Sequence, residues 1–341
     1  MFGKMMNRYY YGKSGKGDFR KEDLPENRWQ LFWDVLRTRF SALCRLNLIY
    51  MLVWLPTIII AARSLIGFYV TLNNMMAARD GTLQQRIEEQ AGTENPATYT
   101  EEDIERFKTM DVGEMETSLI FTTLLYLIPC IAITGPFTAG VSYVTRNWAR
   151  DEHAFIWSDF KDAVKENWKQ GLVVSLITSV IPLLVYMGWR FYGQMARTQI
   201  FMIVPQILVM MLALVWAVCV TYFYPLMVTY ELKLKDVLRN GLLLGVARLP
   251  MSIGIRLLHC VPVILGAVMY LFWNPLYAVL IIAGYYILIG FTLSRFVTAS
   301  WTNAVFDRYL NSRIEGAEVG RGLRKETDEE DEEEETPGGE S

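Results

Sequence analysis

The side chains able to do bond-making chemistry are few and scattered. There are two histidines, His153 and His259, and four cysteines, Cys44, Cys130, Cys219 and Cys260, with no Cys-x-x-Cys spacing. That usage points to neither a zinc site nor a dithiol redox pair, and the cysteines read as small buried hydrophobes. No Gly-x-x-x-x-Gly-Lys-Ser/Thr loop, His-Glu-x-x-His helix or Ser-His-Asp arrangement occurs, so nucleotide hydrolysis and metal-assisted or triad hydrolysis have no candidate residues. The expectation is a protein that is not an enzyme and needs no cofactor or metal.

What remains is charge and close packing. Arg256 and His259, three apart, share one helical face inside an apolar run. They are either an anion-binding pair or a pair snorkelling to an interface. Arg63, within another run, is expected to snorkel. Gly135, Pro136, Ala139 and Gly140 form an overlapping Gly-x-x-x-Ala and Pro-x-x-x-Gly pattern. Small residues four apart let a second helix approach closely, so this is either a helix-packing seam or a partner seam.

These residues sit in a chain of 341 that is 52% hydrophobic and only 20% charged, too apolar for an ordinary soluble protein. Six apolar runs long enough to cross a bilayer stand out at about 46–72, 118–144, 171–188, 200–228, 252–273 and 276–297. Pro56, Pro129, Pro136, Pro182, Pro205 and Pro262 fall inside them, each a hinge or an ordinary membrane-helix proline. None of the six contains Asp or Glu, which argues against a carrier coupled to protons or sodium. The fold class is therefore all-α, a polytopic membrane protein whose direct partner is the lipid bilayer. No secretory leader is expected, and no nucleic acid.

The spans organise the rest. Residues 1–28 read as a disordered basic arm and 315–341 as a disordered tail that turns strongly acidic, on either side of a six-span domain at 29–314. An acidic loop occupies 73–116; its stretches 84–90 and 101–108 could each form a short helix, and the loop is either a docking surface or, the preferred expectation, a solvated connection. Trp29, Phe32, Trp33, Leu36, Phe40 and Leu43 recur at helical spacing, as a headgroup-layer helix or as a packing helix would require. Each pair of spans is followed by an amphipathic segment: 151–170, 231–240 and the stretch from Trp301. This hints at a three-fold hairpin-plus-helix repeat, with Phe160-Lys161-Asp162-Ala163-Val164 echoed at Leu234-Lys235-Asp236-Val237-Leu238. Twenty-five Lys and Arg fall on the side holding both termini and these amphipathic segments, against six on the side of the acidic loop. The bias puts both termini in the cytoplasm and the acidic loop outside. Arg150, Asp151, Trp157, Phe160, Asn167 and Trp168, with Asp236 and Asn240, are then candidate residues of cytoplasmic docking helices.

The chain resembles the YesL family of bacterial membrane proteins. The resemblance rests on Gly135-Pro136-Phe137-Thr138-Ala139-Gly140, Arg150-Asp151-Glu152, Asp159-Phe160 and Lys165-Glu166-Asn167-Trp168-Lys169-Gln170, with Tyr224-Pro225-Leu226 and the run ending at Asn240. It covers roughly residues 30–310, and Phe137 stands where the family usually has alanine. The family has no assigned activity. Its association with carbohydrate ABC transporters implies an accessory or regulatory role beside the permease subunits of sugar uptake, in the plasma membrane. The alternatives are a small-solute channel or carrier, and a membrane sensor.

Overall fold

The computed structural model describes residues 24–83, 85 and 99–324, and every regular element among them is helical. The elements are α1 (Arg28–Thr38), α2 (Phe40–Arg79), α3 (Glu101–Thr109), α4 (Val112–Trp148), α5 (Ser158–Ala196), α6 (Ile203–Thr229), α7 (Leu234–Ala247), α8 (Leu249–Phe272), α9 (Pro275–Tyr285) and α10 (Phe291–Tyr309). A π-helical turn, Tyr286–Gly290, joins α9 to α10. Six helical stretches are long and apolar enough to cross a membrane: Phe40–Arg79, Val112–Trp148, Ser158–Ala196, Ile200–Thr229, Leu249–Phe272 and Pro275–Arg313. They leave large apolar side chains such as Leu65, Leu212, Leu265 and Leu280 exposed, as a lipid-facing surface requires. This is a multi-pass, all-helical membrane protein. The basic arm up to residue 23, nearly all of the expected helix at 84–90 and the acidic block from residue 325 lie outside the described residues.

The chain forms two compact units. One comprises Val53–Thr134 and Leu172–Leu214. Hydroxyls and glycines set its contacts: Thr123 Oγ1 donates to Ser64 Oγ at 2.8 Å, Ser175 Oγ donates to the Ala132 carbonyl, and Gly188 lies against Val209. The acidic loop contributes a packed helix here. In α3 the Thr100 hydroxyl accepts from the Asp103 N–H while Asp103 accepts from the Thr100 N–H, a reciprocal cap. Those bonds, from the Thr100 backbone and then its hydroxyl, hold the Asp103 carboxyl below its ordinary pKa. Ile104 is buried on Ala77, Ala78 and Leu83, flanked by Tyr99 and Phe107, and Asn74 Nδ2 donates to Tyr99 Oη at 2.8 Å. This part of the loop, expected to be solvated, is fastened to the end of α2 because the α3 cap presents its apolar face.

The other unit comprises Met1–Leu52, Gly135–Gly171 and Val215–Ser341. In α1 the buried face is Leu31 and Val35, each 2% exposed, while Trp29 and Trp33 face outward. Phe32 stacks on Phe296 at 5.2 Å between centroids. The helix therefore packs through its aliphatic stripe and Phe32, and carries the two tryptophans on its rim.

A polar splint crosses this unit. The fully buried Asn47 donates from Nδ2 to the carbonyls of Tyr286 and Ile287 at 2.9 and 2.8 Å, and its Oδ1 accepts from the Thr292 N–H at 3.0 Å. A π turn interrupts the i to i−4 ladder and strands backbone groups. One amide side chain of α2 bonds three backbone groups at this turn.

Candidate functional site

Gly135 and Gly140 are used within the chain. A Cβ on Gly171 of α5 would lie 3.0 Å from the carbonyl carbon and oxygen of Gly135 and from the nitrogen of Pro136. At Gly140 a Cβ would meet Val164 Cγ2 at 2.6 Å and the Phe160 ring at 2.8 Å. Ala139 is fully buried. The small-residue pattern on α4 thus receives the amphipathic first half of α5 at backbone contact, which is how small residues bring membrane helices together.

The turn from α4 to α5 is built around Glu152. Its carboxylate lies 2.8 Å from Arg150 Nε, 3.3 Å from Arg321 Nε and 3.9 Å from Arg146 Nη1. Asp151 has φ 57°, the left-handed conformation that lets the chain reverse at this point. Gly322, at φ 82°, passes so close that a Cβ there would stand 2.9 Å from the Arg150 carbonyl oxygen. Trp148 Nε1 donates to the Ala154 carbonyl at 3.2 Å, closing the turn.

Beside it, Asp307 gathers three donors. Arg28 pairs with it, Asn311 Nδ2 donates at 2.5 Å, and the Gly320 N–H donates at 3.0 Å. Tyr230 donates its hydroxyl to Asn311 Oδ1 at 2.6 Å. Burial first, and the Asp307 carboxylate second, push the Tyr230 pKa up to about 12, so it stays a donor. The Arg324 N–H reaches the Pro25 carbonyl at 3.0 Å. Residues 315–324, the start of the tail expected to be disordered, therefore run back against α10 and the entry to α1. Replacing Asp307 with alanine is expected to destabilise the protein by about 3 kcal/mol, since it leaves Arg28 without its counter-charge. The check is the unfolding midpoint of the purified protein in mild detergent, with Glu318→Ala, on the exposed side of the same segment, as a near-neutral control.

Residues 116–189 match the family described as a protein of unknown function, DUF624. No curated protein and no solved structure matches the chain. The DUF624 match takes in most of α4, the Glu152 turn and most of α5, and so contains the seam and the first candidate docking helix. Asp236 and Asn240 of α7 lie beyond it.

The candidate docking residues divide by position. Trp157, in the turn that enters α5, and Trp168 are 64% and 48% exposed, whereas Phe160, between them in sequence, is 4% exposed against Gly140. Arg150 is buried in the Glu152 bracket, and Asp151 is exposed at its corner. Asn167 donates back to the Ala163 carbonyl of its own helix. Gln170 Nε2 donates to the Leu232 carbonyl at 2.9 Å, which ties α5 to the entry of α7. There Asp236 and Asn240 are half-buried, and α7 folds onto α6 with Gly241 against Phe223 and Gly245 against Cys219. Asn47, Asp307, Asn311 and Tyr230 were not among the expected site residues. A signal for part of the set exists in the spacing of Asn303, Asp307 and Asn311, four apart on one helical face.

Proposed function

We propose that this protein is a non-enzymatic accessory subunit of the plasma membrane, with both termini cytoplasmic, that docks on the permease component of a carbohydrate ABC transporter. The observation that carries the docking surface is the pair Trp157 and Trp168, exposed at either end of a face whose centre is sealed on Gly140. Trp157 sits in the turn that enters α5 and Trp168 on α5 itself, and exposed tryptophans on a firm backbone are favoured anchors for a partner. Lys169 lies 5.6 Å over the Trp168 ring, adding a cation to the same patch. The excess of Lys and Arg in the connections on this side supports a cytoplasmic placement, and the resemblance to the YesL family supports the class of partner.

The test is co-purification, after mild solubilisation, with a carbohydrate ABC permease produced in the same cells. Wild-type protein is expected to retain the permease. Trp157→Ala and Trp168→Ala together are expected to reduce its recovery at least ten-fold, because buried interface tryptophans commonly contribute about 2 kcal/mol each. Recovery of no permease subunit by the wild-type protein refutes the proposal. Solute uptake into vesicles holding this protein alone would favour a channel or carrier instead.

A further inference from the structure

The chain carries no Asp or Glu between Asp236 and Asp307, yet Arg256, His259 and Arg295 fall within that interval on α8 and α10. They come together in the structure. His259 Nε2 lies 3.1 Å from the Ser294 carbonyl and 3.4 Å from Thr298 Oγ1, which fixes the imidazole to α10 one residue from Arg295. Thr298 is three residues from Arg295, and His259 three from Arg256, so this contact sets both arginines along the same junction of α8 and α10. The Arg256 Nε is buried with no hydrogen-bond partner, and among the described residues neither arginine has a carboxylate within ion-pair distance.

A buried guanidinium nitrogen without a partner, with a second arginine along the same helix junction and no carboxylate in the interval, is a costly arrangement unless a counter-charge arrives from outside the chain. Depth indicates what that anion is. Arg256 is seven residues into α8, about 10 Å along its axis, in a helix whose full length is about 36 Å. A guanidinium at that level reaches the border between hydrocarbon and headgroups, where lipid phosphates lie. The flank of α8 beside it is open and apolar, with Ile253, Leu257 and Val261 all exposed, so acyl chains can run beside the pair. A planar guanidinium matches the oxygens of a phosphate two at a time.

We propose that Arg256 and Arg295, with Thr298 and His259 beside them, bind a phosphate-bearing anion between α8 and α10. This stands apart from the permease-docking reading and uses none of its residues. The site takes the phosphate of an anionic lipid or a free phosphate, and the experiment separates the two.

The purified full chain in dodecyl maltoside is titrated with dioctanoyl phosphatidylglycerol, with dioctanoylglycerol and with inorganic phosphate, following the thermal unfolding midpoint. Phosphatidylglycerol is expected to raise the midpoint saturably and dioctanoylglycerol to leave it unchanged. Arg256→Gln and Arg295→Gln should each weaken the apparent affinity about five-fold. Arg37→Gln, which removes an exposed cation of α1, should leave it as it is. If inorganic phosphate saturates with the same dependence on both arginines, the site belongs to a free anion. If a glutamine variant does not fold, Arg256→Lys and Arg295→Lys keep the charge but lose the planar fork, and a weakening confined to phosphate-bearing ligands supports the site. Equal binding of dioctanoylglycerol, or an affinity that no Arg256 or Arg295 variant changes, overturns the proposal.

Discussion

Replacing Asn47 with leucine will destabilise the protein by about 3 kcal/mol and loosen the junction between α9 and α10. The change leaves two π-turn carbonyls and the Thr292 N–H without the partner they have in a fully buried site. In water-excluded surroundings each such loss costs about 1–3 kcal/mol, while hydrogen bonds measured between membrane helices average nearer 0.6. Three losses at one residue place the sum between those limits. Asn47→Asp should do no better, since it keeps an acceptor for Thr292 but turns a second oxygen toward two carbonyls. Unfolding midpoints in a graded denaturing detergent decide the point. Hydrogen exchange at Ile289 to Thr292 should rise in both variants. A leucine variant as stable as wild type would show that these carbonyls have other partners.

The second large effect is expected at Gly171. An added Cβ there faces the backbone of Gly135 and Pro136 at 3.0 Å, and backbone atoms inside α4 yield only if the helix moves. Gly171→Ala should cost about 1–3 kcal/mol, as overpacking does, and Gly171→Leu should abolish the folded monodisperse species on size exclusion. Gly140→Ala makes a useful comparison. Its nominal contacts are shorter, 2.6–2.9 Å, but they are with the ends of Val164 and Phe160, side chains able to turn. It should cost less than Gly171→Ala. Gly254→Ala is the control, because its methyl would meet nothing within 4 Å, and helix propensity alone should make it neutral or slightly stabilising. If Gly171→Ala behaves like Gly254→Ala, the close approach of α4 and α5 is not what holds them.

The six long helices were legible because crossing hydrocarbon demands some twenty apolar residues, and no local signal competes with that length. Proline did not obscure them: Pro56, Pro182, Pro225 and Pro262 all lie within continuous helix. The Gly135–Gly140 pattern was legible as a close-packing seam, although its occupant, the opening of α5, is not written in the spacing. Trp157, Phe160, Val164 and Trp168 share one face by periodicity, yet that face is half covered and half bare. Periodicity reports direction and says nothing of how far a neighbour extends. The π turn left no trace, since Tyr286-Ile287-Leu288-Ile289-Gly290 reads like any apolar helix. Its splint, Asn47, lies 239 residues away from Tyr286, and no local window holds both.

The bond between Arg324 and Pro25 carries a last consequence. Pro25 and Arg324, almost three hundred positions apart in sequence, meet at one point, so a peptide linker between them would have almost no distance to span and little closure entropy to overcome.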